Sequence, residues 1–322
     1  MILPHLLAVA KLPPLLAPQL AAAFTVHDRL HLPQPPGDPA AFDAIAPQVR
    51  AIAATGDSVV TAELLARLPA LEIISVMGVG YDGIDAAAAA ARGVMVTHTP
   101  DVLNDDVADL AIGLMLSVAR QLPAADRHVR EGHWPTGPMP LARKMSGARL
   151  GLVGMGRIGQ AIAKRAEAFG MPIGYTARSA KPGLPYSYFL TPAALAAQSD
   201  FLVLITPGGA ATRGLVDAEV LRALGQGAGR GFLINVARGS VVDEPALIAA
   251  LEQGVIAGAA LDVFADEPQV PERLRALPQV VLAPHIGSAT TATRQAMADL
   301  AAENLRAHFS GQRPPTPVPE CR

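Results

Sequence analysis

Three polar residues stand directly behind short apolar runs late in the chain: Arg238 in "NVARGSVVDE", Glu267 in "LDVFADEP" and His285 in "APHIGSAT". An imidazole, with an ordinary pKa near 6.5, exchanges protons at neutral pH. A guanidinium offers a rigid fork to a carboxylate or a developing oxyanion. The end of a buried strand is where an open α/β sheet presents its ligands. Upstream, two hexapeptides share the GxGxxG spacing, "GVGYDG" at 78 to 83 and "GMGRIG" at 154 to 159. Each of these features has a plainer reading when taken alone. A lone GxGxxG is often just a tight turn, Glu267 in "ADEP" passes for a loop acid, and most of the eight histidines in any such chain serve surface or core.

Such residues need a scaffold that brings strand ends together. At 322 residues the chain is expected to form two domains of about 100 to 200 residues each. Its hydrophobic content of 51% is carried by aliphatics and alanine with only 4% aromatic, which favours helices on sheets over a β-sandwich. Short apolar runs alternate with amphipathic stretches: "HLLAVA", "SVV" (58 to 60), "LEIISVM", "GVMVTH", "RLGLVGM", "PIGYTA", "DFLVLIT", "GFLINVA" and "VVLAPH". That alternation predicts parallel sheets covered on both faces. The stretch 101 to 123 reads as one long helix with an acidic start and Arg120 near its end, long enough to bridge two domains. Residues 130 to 147, with three prolines and three glycines around Trp134, read as a crossover linker, and 289 to 309 as a last helix closing at Gly311.

Other classes are disfavoured. A net charge of -2 with no basic run supplies no field for nucleic acid or an anionic membrane. The apolar start is cut by Pro4, Pro13 and Pro14 and lacks a basic leader, so neither a signal peptide nor a membrane anchor is expected. The single cysteine, Cys321, excludes an internal disulfide and a cysteine zinc site and fits a reducing cytoplasm; no metal site is expected.

The two glycine motifs differ in the residues that come after them. In "RLGLVGMGRIGQAIAKRAEAFGMPIGYTARS", Gly154 makes the turn, Gly156 lets backbone approach a pyrophosphate and Gly159 lets helix pack on strand. Met155, Arg157 and Ile158 fill the turn, Arg157 adds a cation, and the whole makes a complete βαβ unit of about 30 residues. In "GVGYDGIDAAAAAARG", Asp82 and Asp85 occupy the helix entry and would repel a pyrophosphate. Whether its amides receive a small carboxylate stays open from the residues alone. The strand after the "GMGRIG" helix ends "YTARS". Where NAD wants an acid, this chain has Arg178 and Ser179 with Lys181 nearby, so NADPH is favoured over NADH through its 2'-phosphate.

The order of "NDDVADLAIGLML", the fingerprint, and the segments holding Arg238, Glu267 and His285 resembles the D-isomer-specific 2-hydroxyacid dehydrogenases. Within them the likeness is to the NADPH-dependent glyoxylate, hydroxypyruvate and hydroxyphenylpyruvate reductases, from about residue 55 to 318. The resemblance implies a Rossmann cofactor domain, 99–287, inserted in a flavodoxin-like substrate domain, 1–98 with 288–322, two doubly wound parallel-sheet domains with a cleft between them. It implies a homodimer through the bridging helix and the linker around Trp134.

By the same resemblance His285 is the proton donor, Glu267 its partner, and Arg238 the binder of substrate carboxylate and carbonyl, for a small 2-oxo acid such as glyoxylate, hydroxypyruvate or an aryl pyruvate. "GVGYDG" becomes the loop whose amides, chiefly Val79 and Gly80, receive the substrate carboxylate. Asp262 falls where the nicotinamide amide binds, with Thr206, Val236, His285 and Gly287 along the cofactor. Met155 departs from the commoner leucine, and "TPGGAATRG" is a longer form of the usual turn. His5, His27, His31, His98, His128, His133 and His308 are given no role. Two rivals remain. A dinucleotide-sensing corepressor is disfavoured by the absence of long disordered tails, and an NAD-dependent phosphoglycerate or formate dehydrogenase by "TARS" and the lack of regulatory domains.

Overall fold

Two all-parallel sheets result from the alternating pattern in the computed structural model, which describes residues 3–28, 39–226 and 230–321. The chain divides into two units, Met1–Leu103 with Thr290–Arg322, and Asn104–Ala289.

The first unit runs β1 (His5–Ala8), α1 (Ala17–Ala21), β2 (Thr25–Asp28), α2 (Pro39–Ile45), β3 (Val49–Thr55), α3 (Ala62–Ala66), β4 (Ile73–Met77), α4 (Ala86–Ala91) and β5 (Met95–Thr97). The sheet order is β2-β1-β3-β4-β5, the flavodoxin-like order. One face buries Leu7, Ile52, Ile74, Val76 and Val96 with Leu65 and Leu68. Residues 58 to 60 are not a strand, contrary to expectation. Ser58 is tied back into a turn, its hydroxyl accepting from the amide of Thr55 and its amide donating to the Thr55 carbonyl. Thr61 already caps α3 by accepting from Leu64, so only a lone bridge, Val60 to Ile84, fits between. The strand of that region is β3, whose alanines and Arg50 hide it from a reading of apolar runs.

The second unit runs α5 (Asn104–Arg120), α6 (Leu122–Arg130), β6 (Leu150–Val153), α7 (Arg157–Glu167), β7 (Ile173–Thr176), β8 (Ser187–Tyr188), α8 (Pro192–Ala196), β9 (Phe201–Leu204), α9 (Ala218–Gly225), β10 (Phe232–Asn235), α10 (Glu244–Glu252), β11 (Gly258–Leu261), α11 (Glu272–Arg275) and β12 (Val280–Leu282). Its sheet order is β12-β11-β10-β9-β6-β7-β8. Strand order reverses between β6 and β9, the switch point at which doubly wound sheets bind ligands.

The single helix expected over 101 to 123 is two helices bent by 60°. A helix running through this point would need the residue at 123 to donate to the Ala119 carbonyl, but Pro123 has no amide and its ring crowds that carbonyl, which accepts from Arg143 at 2.9 Å. Gln121 takes the left-handed conformation at φ 53°, and α6 starts afresh with Pro123 in its first turn. Among the described residues no single helix is long and apolar enough to cross a membrane. Residues Thr291–Phe309 form α12, which returns to the first unit. There the Ser75 hydroxyl of β4 donates to the Ala301 carbonyl at 2.9 Å.

Candidate active site

The switch point is built from the three glycines of "GMGRIG", each for a different reason. Gly154 follows β6 with φ 113°, and a Cβ there would stand 2.5 Å from the Ile205 carbonyl beyond β9. A Cβ on Gly159 would stand 2.5 Å from the Gly154 carbonyl, so helix and strand close up only on glycine. Gly156, by contrast, faces open space, with nothing within 4 Å of its Cβ position. It is also the N-cap of α7, with no side-chain cap and no acid in the first turn. The amides there suit an anion that comes close to the backbone, and the residues fit a dinucleotide pyrophosphate. Arg157 is exposed at the first helical position, Ile158 is half-buried, and the Met155 side chain is buried at 1% exposure, leaving only its backbone to the turn. Thr206 lies across from Gly154, beyond β9.

The second hexapeptide lacks these features. Gly83 packs on the Ser58 carbonyl, and Asp85 caps α4 by accepting from the Ala88 amide, which puts a carboxylate where a phosphate would sit. The amides of Val79 and Gly80 find no acceptor among the described residues. His98, given no role from sequence, is 9% exposed, and its Nδ1 donates to the Val79 carbonyl at 3.0 Å. Because one peptide plane holds the Val79 carbonyl and the Gly80 amide, that bond fixes where the Gly80 N–H points. Val79 and Gly80 belong to the first unit; every other residue singled out for cofactor or chemistry belongs to the second. His31 lies outside the described residues.

Arg238, Glu267 and His285 follow β10, β11 and β12. Asn235, the last residue of β10, is 1% exposed; its amide group donates to the Arg238 carbonyl and its oxygen accepts from Ala237, both at 3.0 Å. It shapes the turn carrying Arg238, and sequence reading missed it. The available signal was a polar side chain inside "FLINVA", since a buried amide demands partners. Gly239 rests so closely on the Phe264 carbonyl that no Cβ fits. That contact presses the arginine turn onto the segment leading to Glu267.

Glu267 accepts from the Phe264 amide through Oε1 at 2.9 Å and meets His285 Nδ1 through Oε2 at 2.7 Å. Burial alone would raise its carboxyl. The bond to His285, the Phe264 amide and the charges of His285 and Arg238 outweigh burial and hold it below the usual carboxylate range. Glu267 is therefore ionised at neutral pH and only accepts, so Nδ1 of His285 carries a proton and Nε2 is the nitrogen Glu267 does not engage.

His285 is held in the left-handed conformation, φ 52°, its amide donating to the Asp262 and Ala283 carbonyls. Asp262 is 2% exposed, and its two carboxylate oxygens accept from Ile286 at 2.7 Å and Gly287 at 2.8 Å. Burial pushes its carboxyl up; the two amides and His285 oppose the rise, and Glu267 adds to it. Its visible work is to hold the turn that presents His285. Gly287 is small because a Cβ would stand 3.2 Å from Asp262 Oδ2. Val236 is 7% exposed and packs in the interior. Arg178 and Ser179 are exposed on the loop after β7. The arrangement offers a dinucleotide turn at the switch point, a guanidinium, and an imidazole locked in one tautomer by an ionised carboxylate.

Comparison with known proteins gives the same picture. Residues 112–287 match the family described as D-isomer specific 2-hydroxyacid dehydrogenase, NAD binding domain. A glyoxylate/hydroxypyruvate reductase A of Arabidopsis thaliana is 51% identical over 84% of this chain and 85% of its own. A hydroxyphenylpyruvate reductase of Plectranthus scutellarioides is 49% identical over 87% of this chain and 90% of its own. Among solved structures, an NADPH-dependent glyoxylate/hydroxypyruvate reductase from Sinorhizobium meliloti, in complex with NADP and malonate, is 45% identical. It superposes with a TM-score of 0.91 over 99% of this chain and 97% of that one. With two parallel-sheet α/β units, a glycine turn shaped for a dinucleotide and matches of this extent, the chain belongs to the D-isomer-specific 2-hydroxyacid dehydrogenase family.

Proposed function

We propose that this protein reduces a small 2-oxo acid to the D-2-hydroxy acid with NADPH as reductant, the substrate being glyoxylate, hydroxypyruvate or an aryl pyruvate. The observation that carries the reading is the 2.7 Å bond between His285 Nδ1 and the ionised Glu267, itself held by the Phe264 amide. A bound reduced nicotinamide supplies the hydride to the carbonyl carbon. His285 holds the other proton at Nε2 and gives it to the carbonyl oxygen, and Glu267 stabilises the imidazolium before that transfer. Arg238 holds the carboxylate and polarises the carbonyl, its backbone set by Asn235. Gly154 to Gly159 would hold the pyrophosphate, and Arg178 with Ser179 the 2'-phosphate.

The relatives named above support the substrate class, and the Sinorhizobium meliloti enzyme, crystallised with NADP, supports the cofactor. The test is kcat/KM for glyoxylate, hydroxypyruvate, phenylpyruvate and 4-hydroxyphenylpyruvate with each cofactor. NADPH should be preferred, and Arg178→Ala should remove about one to two decades of that preference. Equal use of NADH and NADPH by the unmodified protein would refute the cofactor assignment.

A further inference from the structure

The loop that carries Arg178 and Ser179 is tied at both ends to tyrosine hydroxyls. Tyr175 and Tyr188 are register partners on the adjacent parallel strands β7 and β8, so their side chains emerge on one face, with ring centroids 5.4 Å apart. The Tyr175 hydroxyl accepts from the Lys181 amide at 2.7 Å. The Tyr188 hydroxyl donates to the Ala177 carbonyl at 3.3 Å. Residues 178 to 180, between the two posts, are exposed.

The rings and the hydroxyls do separable work. Tyr175 is 2% exposed, and phenylalanine would fill the same volume in that core. Edge strand β8 is only two residues long and ends on Tyr188. What the oxygens add is two hydrogen bonds, one to each end of the 177–181 backbone, and each would leave the ring packing in place if removed.

We infer that Tyr175 and Tyr188 are positioning residues for cofactor selectivity, fixing through their hydroxyls the backbone from which Arg178 and Ser179 reach a ribose 2'-phosphate. The inference rests on the reading of Arg178 given above. An exposed arginine on a loose loop loses rotamer and backbone freedom when it grips a phosphate, and a loop already pinned at both ends loses less. The benefit falls on ligands with a 2'-phosphate and not on those without one.

The experiment is calorimetric titration of 2',5'-ADP and 5'-AMP, with NADPH and NADH binding followed by nicotinamide fluorescence. The proteins are the unmodified chain, Tyr175→Phe, Tyr188→Phe, the double variant, Arg178→Ala, and Tyr175→Phe combined with Arg178→Ala. Each Phe variant should weaken 2',5'-ADP and NADPH about three- to tenfold, the worth of one ordinary hydrogen bond. Binding of 5'-AMP and NADH should stay within about twofold, and Tyr175→Phe should cost clearly less once Arg178 is gone, with only the Ser179 share of the effect left. Equal loss for phosphorylated and unphosphorylated ligands, or full additivity with Arg178→Ala, overturns the inference while leaving Arg178 its role. If the unmodified protein binds 2',5'-ADP no better than 5'-AMP, the Arg178 reading fails and the inference falls with it. Melting temperatures of the Phe variants show whether a loss comes from unfolding.

Discussion

Asn235 grips the turn of Arg238 from both sides, its amide group donating to the Arg238 carbonyl and its oxygen accepting from the Ala237 amide, each at 3.0 Å. The residue is 1% exposed, so the backbone groups it satisfies are shielded from bulk solvent. Asn235→Ala should leave the Ala237 amide unsatisfied and cut one of the two bonds to the Arg238 carbonyl, which also accepts from the Val241 amide; it should lower stability by about 1 to 3 kcal/mol and let Arg238 wander. The expected kinetic result is a rise in KM for glyoxylate together with a fall in kcat, at unchanged NADPH affinity. Steady-state assays at saturating NADPH beside a melting curve check this; a stability loss with normal KM would leave Asn235 a purely structural residue.

The imidazole and its carboxylate make a second expectation, this one in pH. Burial would raise the Glu267 carboxyl, but His285, the Phe264 amide and Arg238 outweigh it and hold the group below the usual carboxylate range, so it is ionised at neutral pH. An anion beside an imidazolium favours the protonated form, so removing the anion lowers the pH at which the donor is lost. Glu267→Gln should move the alkaline limb of reduction to lower pH, whereas His285→Ala should lower kcat by about two to four decades across the range. An unshifted profile in Glu267→Gln, or near-normal turnover in His285→Ala, would move the proton donor elsewhere.

Assembly is read from α6 and the segment after it. No residue of α6 is buried, and Leu122, Val129, Trp134 and Leu141 are 50%, 56%, 68% and 101% exposed. That much large apolar surface in one stretch of chain calls for cover, and a second copy placed by a twofold axis would supply it. Light scattering at micromolar concentration should give twice the chain mass, and Val129→Asp should bring it towards the single-chain value. A single-chain mass for the unmodified protein would dismiss the dimer.

Acid stability depends on Asp200, which stands between β6 and β9. It accepts from the Arg149 amide at 2.8 Å and from the Arg149 guanidinium through two bonds at 3.1 Å. The guanidinium is the main cause of its lowered pKa; burial opposes it, and the Arg149 amide and the charges of Arg149 and Arg143 assist. A carboxyl lowered in the native state stabilises it above the unfolded pKa, near 3.9, and stops doing so as pH falls through the native value. Asp200→Asn should therefore cost about 1 to 2 kcal/mol at pH 7 and progressively less below about pH 4. Urea midpoints at the two pH values measure the difference, and an equal deficit at both would exclude the ionic explanation.

Legibility in the sequence depended on whether a signal was local. "GMGRIG" could be read because turn, helix and next strand succeed one another within a single βαβ unit, and the same context set "GVGYDG" apart. Arg238, Glu267 and His285 were visible because each comes directly after an apolar run. The strand β3 was not, because alanines and Arg50 blur its pattern, and "SVV" passed for a strand until the Thr55 to Ser58 turn and the Thr61 cap left it no room. The break at Gln121 was foreshadowed by Pro123 alone. The Tyr175 and Tyr188 posts depend on the register of two strands, and the hold of His98 on Val79 joins a strand end to a loop; neither contact is written in any one stretch of residues.

The first unit is assembled from the two ends of the chain, and this orders its synthesis. On a ribosome the second unit emerges whole while the first still lacks α12, which covers Ser75 and, by strand alternation, the neighbouring Ile73 and Met77 of β4. It also lacks the late segment that flanks β5, where Pro317 bridges Thr97 and the Val318 amide donates to Val96. At about 5 to 20 residues per second, the nascent sheet waits on the order of ten seconds or more with one apolar face uncovered. Over that interval the cofactor-binding unit can fold to completion, and the half-made sheet is the part of the newborn chain that chaperones would find to hold.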